Sequence, residues 1–171
     1  MKSTVWFVPF VPRRLTQEDS IGSRWLRLLG RLRLGQVVAD RKTIVKMHLG
    51  GGTGFTTIHP WLTRTLVEHL NKAGAASVRV TDTAGAVATA VERGYAPATI
   101  GCRLTPVCGH DDTAYVRRPV TSPLRTLKHV DVGRTIHNAE ALIVFTHLKA
   151  HGACGFGGSA KNLAMGCVTG R

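Results

Sequence analysis

Residues 141–167, ALIVFTHLKAHGACGFGGSAKNLAMGC, decide how this chain is read. Ala141–Phe145 is a short run of branched apolar residues bounded by polar ones, the pattern of a strand buried on both faces. The strand should end near Thr146–Leu148. Four glycines then fall within seven residues, at Gly152, Gly155, Gly157 and Gly158. Ser159 is a suitable N-cap and AKNLAM behind it can start a helix. A glycine-rich turn between a strand and a helix start exposes backbone N–H groups at the positive end of the helix dipole, where an anion fits. Lys161 would add a full charge, and His147, Lys149 and His151 line the approach.

Working back towards the amino terminus, the same alternation recurs. TIVKMHL (43–49) reads as a buried strand carrying Lys46 and His48 near its carboxyl end, followed by a second glycine-rich turn, GGGTGFTT (50–57). Pro60 suits the first turn of the next helix, in which Leu62, Leu66, Leu70 and Ala73 share a face until Gly74. SVRVTDT (77–83) is a third strand closing on Asp82, and Ala84–Arg93 is helix-like up to Gly94. Short strand candidates lie at 104–108, 114–120 and 125–131, and 135–140 looks like a helical turn. Strands alternating with helices predict an α/β fold: a mostly parallel, Rossmann-like sheet with helices on both faces, in three layers, with an irregular antiparallel insertion around 95–135.

At the amino end, residues 4–11 alternate loosely and read as a first strand. From Ser20 to Leu34, Trp25, Leu28, Leu29 and Leu32 form one stripe, while Arg24, Arg27 and Arg31 lie opposite, with Gly35 as a stop. Such a basic amphipathic helix is expected to pack its leucines on the sheet and leave its arginines in water. The apolar start is short, holds two prolines and lacks a cleavage site, so it does not read as a signal peptide. No apolar run approaches the ~20 residues needed to span a bilayer. One cytoplasmic α/β domain over 1–171 with no membrane partner is the expectation.

The formal net charge is +13, and 16 of the 23 basic residues are arginine. Residues 1–49 hold ten Lys or Arg against Glu18, Asp19 and Asp40. That field would attract nucleic acid or an acidic partner. No aromatic stacking motif accompanies it, so arginine enrichment of solvated faces is the preferred account. The four cysteines, Cys102, Cys108, Cys154 and Cys167, form no CxxC pair. A disulfide framework or self-contained metal cluster is therefore not expected, and only Cys154, in the glycine loop, is placed to meet a ligand.

If the strands at 43–49, 77–83 and 141–148 are parallel, their carboxyl ends share one sheet edge, where ligands bind in open α/β sheets. That edge would collect His48, Gly51, Gly52, Thr56 and Thr57 from the first turn and Asp82 from the next strand. Gly155, Gly157, Gly158, Ser159 and Asn162 would join them from the last segment. GFGGSA (155–160) fits G-x-G-x-x-A, but HLKAHGAC intervenes after the strand and no acidic residue follows at ~20 positions, so a dinucleotide fingerprint fails. A Walker A loop fails as well, because Lys161 is not in G-K-[ST]. His147, His151 and Cys154 have metal-like spacing that a transition metal could use.

KMHLGGGTGFTTIHPWLTR (46–64), VTDTAG (80–85) and FTHLKAHGACGFGGSAKNLAMGC (145–167) resemble the domain-of-unknown-function number 362 family, from the first strand to the last residue. Its members are often labelled uncharacterised iron–sulfur centre proteins. The resemblance implies that longer members continue into a ferredoxin-type segment binding a 4Fe–4S cluster. This chain would end before that segment, so the cluster would come from an iron–sulfur partner or be lost. HGACGFGGSAK (151–161) is also similar to a His…GF-x-GG-x-K stretch of nickel-pincer lactate racemases. That similarity implies Lys161 as a cofactor tether and His151 as an acid/base, with Lys149 beside them lowering the lysine pKa.

The reading taken forward is a domain that binds an anionic small molecule or cofactor at the 150–162 loop, with oxidoreductase or isomerase-type chemistry if it is an enzyme. The alternatives are a basic non-catalytic protein holding nucleic acid or an acidic partner, and an inactive truncated remnant.

Overall fold

The strand at Ala141–Phe145 lies at one side of a sheet of four parallel strands. In this computed structural model residues 4–9, 11–50, 57–122 and 126–170 are described. In chain order the elements are α1 (Ile21–Arg31), α2 (Gly35–Val38), β1 (Lys42–Met47), α3 (Pro60–Lys72), β2 (Ser77–Asp82) and α4 (Ala84–Ala90). A 3-10 turn (Val91–Arg93) and α5 (Pro97–Ile100) lead to β3 (Arg103–Pro106). Then come β4 (Tyr115–Pro119), β5 (His129–Gly133), α6 (Arg134–His137), β6 (Ala141–Phe145), β7 (Lys149–His151), β8 (Gly155–Gly157) and α7 (Ser159–Gly166).

The sheet runs β3-β2-β1-β6, with every pair parallel. The chain steps outward from β1 to β3 and returns to the other flank of β1 as β6. The direction of winding therefore switches between β1 and β6, the place where such sheets open a crevice at their carboxyl ends.

Alternation along β1 sends its side chains to two helical layers. Met47 faces α3, where Thr63 Oγ1 lies 3.6 Å from its sulfur, while Lys46 faces α7 and meets Asn162. Five of the six β1 residues are buried, as a strand covered on both faces requires. The apolar core fills the α3 side, with Val45, Val80, Leu66, Val67 and Leu70 at its centre. Trp25 of α1 stacks on Phe145 at 5.4 Å, and its indole N–H donates to Thr65 Oγ1 at 2.8 Å. The α/β architecture with helices on both faces is thus as expected.

Three expectations need correction. Residues 4–9 and 11 are not a strand. Pro9 interrupts the segment and Pro12 follows it, no sheet edge among the described residues receives it, and it runs over the surface. The strand near 104–108 is not part of an antiparallel insertion: β3 is the parallel edge of the main sheet, paired with β2. The insertion is narrower, a β4–β5 pair held by a two-pronged Arg117–Asp131 ion pair at 2.8 Å. Arg24, assigned to the solvated face of α1, is instead 5% exposed.

Candidate functional site

β1 ends in Lys46, Met47 and then His48; β2 ends in Asp82. A buried polar network is built from these two ends and α7. Lys46 is fully buried. Its ammonium donates to Asp82 Oδ1 at 2.9 Å, Asn162 Oδ1 at 2.6 Å and the Met47 carbonyl at 2.5 Å. Three donors meet three acceptors, which is what a buried ammonium needs. Asp82 also accepts from the Leu49 and Thr83 backbone N–H groups at 2.7 and 2.9 Å. The Asn162 amide donates to Thr146 Oγ1 at 2.7 Å, linking α7 to the end of β6. Gly166 permits the arrangement: a Cβ there would sit 2.7 Å from Lys46 Cε.

Above this network lies a cleft of about 410 Å³ at the carboxyl ends of β1, β2 and β6. Of the residues expected at the site, it is lined by His48, Asp82, His147, Lys149, His151, Gly157, Gly158, Lys161 and Asn162. Lys46, Thr146, Met165 and Gly166 join them without having been singled out from the sequence. The available signal for Lys46 was a lysine inside a buried strand. Its partners Asp82 and Asn162 lie 36 and 116 residues away, beyond any local pattern.

Electrostatically the cleft is positive. Among the described residues Asp82 is the single acidic side chain in its lining, and Lys46 already pairs with it. Burial lowers the pKa of His48, with Lys149 the next cause; Asp82 opposes this. Burial and then the Lys161 cation lower that of Lys149. His151 Nδ1 faces the backbone N–H groups of Ala153 and Cys154 at 3.2 and 3.3 Å. It therefore acts as an acceptor, and the neutral ring carries its proton on Nε2.

The glycine-rich segment is not the open strand-to-helix cradle that its composition suggested. Lys149–His151 and Gly155–Gly157 pair as a short antiparallel hairpin, with Gly155 at φ +68° making the return. The hairpin forms one wall of the cleft through Lys149, His151 and Gly157. Ser159 is the first residue of α7 rather than its cap; Gly158 stands at the N-cap without a side chain to offer. Gly155, Ser159 and Cys154 lie outside the cleft lining, and so does Thr57, whose hydroxyl donates to the Leu49 carbonyl at 3.2 Å. Gly51, Gly52 and Thr56 fall outside the described residues.

The metal expectations do not fit. No group of three or more His, Cys, Asp or Glu is gathered to hold an ion among the described residues, so His147, His151 and Cys154 do not form a shell. Nor do the cysteines suit a 4Fe–4S cluster. Cys154 is exposed on the hairpin while Cys108 and Cys167 are buried elsewhere. Burial pushes the thiols of Cys102 and Cys108 up to about 11, and that of Cys167 upward too. These are packed thiols rather than thiolate ligands.

A family model described as Domain of unknown function (DUF362) matches residues 43–171. The chain belongs to the DUF362 family. The DUF362 match begins inside β1 and takes in the whole sheet and every described residue of the cleft lining. It leaves out α1, α2 and the segment before them, so the likeness does not extend to the first residues as expected. No curated protein and no solved structure matches the chain. Neither comparison supports a likeness to nickel-pincer racemases. No helix among the described residues of this DUF362 protein is long and apolar enough to cross a membrane.

Proposed function

We propose that this protein binds a small anionic metabolite or cofactor in the cleft between β1, β6, the β7–β8 hairpin and α7. One observation carries the reading: Lys149, Lys161, His48, His147 and His151 surround a space whose single carboxylate, Asp82, is already neutralised by Lys46. The Lys149 and Lys161 ammonium groups beside one hollow repel each other unless an anion enters, so ligand binding relieves that cost. Burial and then the Lys161 cation lower the pKa of Lys149, in keeping with that repulsion. The N-terminus of α7, capped by a glycine, adds backbone donors on the same side.

His151 supplies the chemical handle. An anion held by Lys149 and Lys161 shares the cleft with an imidazole whose Nε2–H can donate to a carbonyl or carboxylate oxygen of the ligand. Isomerase-type or redox chemistry on a short hydroxy or keto acid is the reaction class that uses these groups.

Calorimetric titration with inorganic phosphate, oxalate and short hydroxy acids tests the binding. Lys161→Ala and Lys149→Ala should each weaken the best ligand by at least about tenfold, in the range of a lost charge-assisted hydrogen bond. Their thermal midpoints should stay at the parent's value. Equal affinity in both variants and the parent would end the reading.

A further inference from the structure

The segment ahead of the family-matched region has its own construction. Residues 4–9 and 11–20 carry almost no regular structure, yet Arg24 of α1 gathers them. Its Nη1 donates to the Pro9 and Val11 carbonyls at 2.7 and 2.8 Å, and its Nη2 to Asp19 Oδ1 at 2.5 Å. Asp19 Oδ2 in turn accepts from the backbone N–H groups of Arg13 and Arg14 at 2.6 and 2.7 Å. A buried guanidinium thus holds the strap by its backbone, and the strap's side chains are left facing out. Val5 is 85%, Phe7 83% and Val11 73% exposed, with Leu15 wholly exposed and Trp6 about half so.

These apolar groups are not scattered. Trp6, Phe7, Val8 and Pro9 form one side of a shallow groove of about 450 Å³, and Leu28, Arg27 and Arg31 of α1 form the other. Arg13, Arg14 and Arg33 are exposed on the same stretch of chain. Only Glu18 and Asp19 oppose this charge locally, and Asp19 is spent on Arg24.

We propose that this strap and the adjoining face of α1 dock on an anionic lipid bilayer surface. Exposed aromatic and aliphatic side chains interleaved with arginines are what an interfacial segment presents: apolar groups enter the acyl boundary while the guanidinium groups stay with the headgroup phosphates. Nucleic acid fits less well, because beyond the rings of Trp6 and Phe7 the exposed apolar groups Val5, Val11 and Leu15 are aliphatic and give a base nothing to stack on. The expectation of no membrane partner rested on span length, and surface attachment needs no span.

The test is co-sedimentation of the full chain with vesicles of phosphatidylglycerol and phosphatidylcholine in equal parts, against phosphatidylcholine alone. The protein should bind the anionic vesicles, with a blue shift of tryptophan emission. W6A/F7A should weaken binding at least about tenfold and abolish most of the shift. R27Q/R31Q should weaken it about fivefold per arginine. All four side chains lie on the surface, so circular dichroism should show both variants folded. Three results would overturn the proposal. One is absence of vesicle binding, whether or not the protein shifts duplex DNA or dimerises through the strap. Another is binding to neutral vesicles equal to that to anionic ones. The last is binding that W6A/F7A leaves unchanged, which would reflect the net charge alone.

Discussion

Lys46 is the residue on which the interior of the site depends, and its replacement separates burial from pairing. Lys46→Ala leaves the Asp82 carboxylate, itself 3% exposed, without its cation, and should cost about 3–5 kcal/mol in urea denaturation. Replacing both partners, as in K46M/D82L, removes the uncompensated charge as well and should cost distinctly less than the single change. A double variant as unstable as Lys46→Ala would show that the hydrogen bonds to Asn162 and Leu49, rather than the charge pair, dominate. His48 gives a pH signature. Burial, followed by Lys149, lowers its pKa from 6.5, so the unfolded chain takes up the proton first as pH falls. Stability should therefore decline from about pH 6.5 downward and level off below the depressed native pKa. An anion in the cleft screens the lysines and should move the His48 titration upward, which imidazole proton resonances would report; a downward or absent shift with saturating ligand would argue against binding beside it. None of this was legible at residue scale beyond the residue types. His48, Asp82, Lys149 and His151 were readable as candidates because each lies at or near a strand end, and Lys161 because it falls in the first turn of the helix behind the glycines. The buried cation beneath them was not, since only tertiary structure brings Lys46 to Asn162.

At the scale of elements, the long periodic ones were readable and the short ones were not. α3 shows its proline start, its leucine face and its stop at Gly74, which takes φ +90°. Lys149–His151 and Gly155–Gly157 are three-residue strands, too short to display a period of two, so glycine content suggested a loop where a ladder forms. Residues 4–11 alternate as a strand does, but alternation does not supply a neighbouring edge. Glycine replacements test how the small elements are fixed. At Gly133, the end of β5, a Cβ would meet the Val107 carbonyl oxygen at 2.7 Å, and backbone cannot swing aside. At Gly158 the nearest atom is Phe156 Cε1 at 2.9 Å, the tip of a ring that is 63% exposed. Gly133→Ala should therefore cost about 1–3 kcal/mol or more, and Gly158→Ala only a few tenths, in the same denaturation assay. Comparable losses at the two positions would mean that the hairpin wall is packed more rigidly than its exposure indicates.

For the whole molecule, the parallel sheet and its carboxyl-edge site followed from strand–helix alternation, because a parallel crossover needs an intervening element and leaves all the strand ends together. The boundary at residue 43 did not follow, since α1 looks as helical and as amphipathic as anything within the family-matched region. That boundary makes a prediction about how the protein divides. Residues 4–9 and 11–19 contribute little to the core: most of their apolar side chains face outward, and Arg24 holds them by their backbone. Ser20, which caps α1 through its side chain to the Ser23 N–H, lies just beyond them. A chain beginning at Ser20 should therefore keep the far-ultraviolet dichroism of the parent and lose only a few degrees of melting temperature. It should bind the cleft's anion with unchanged affinity, because no described residue before Lys46 lines the cleft. Arg24 is the one group it strands, and with Asp19 and the strap gone that guanidinium becomes solvated rather than buried alone, so the penalty of an unpaired interior charge does not arise. Loss of anion binding on this truncation, with the fold retained, would show that the strap communicates with the cleft and that the two halves of the molecule do not act independently.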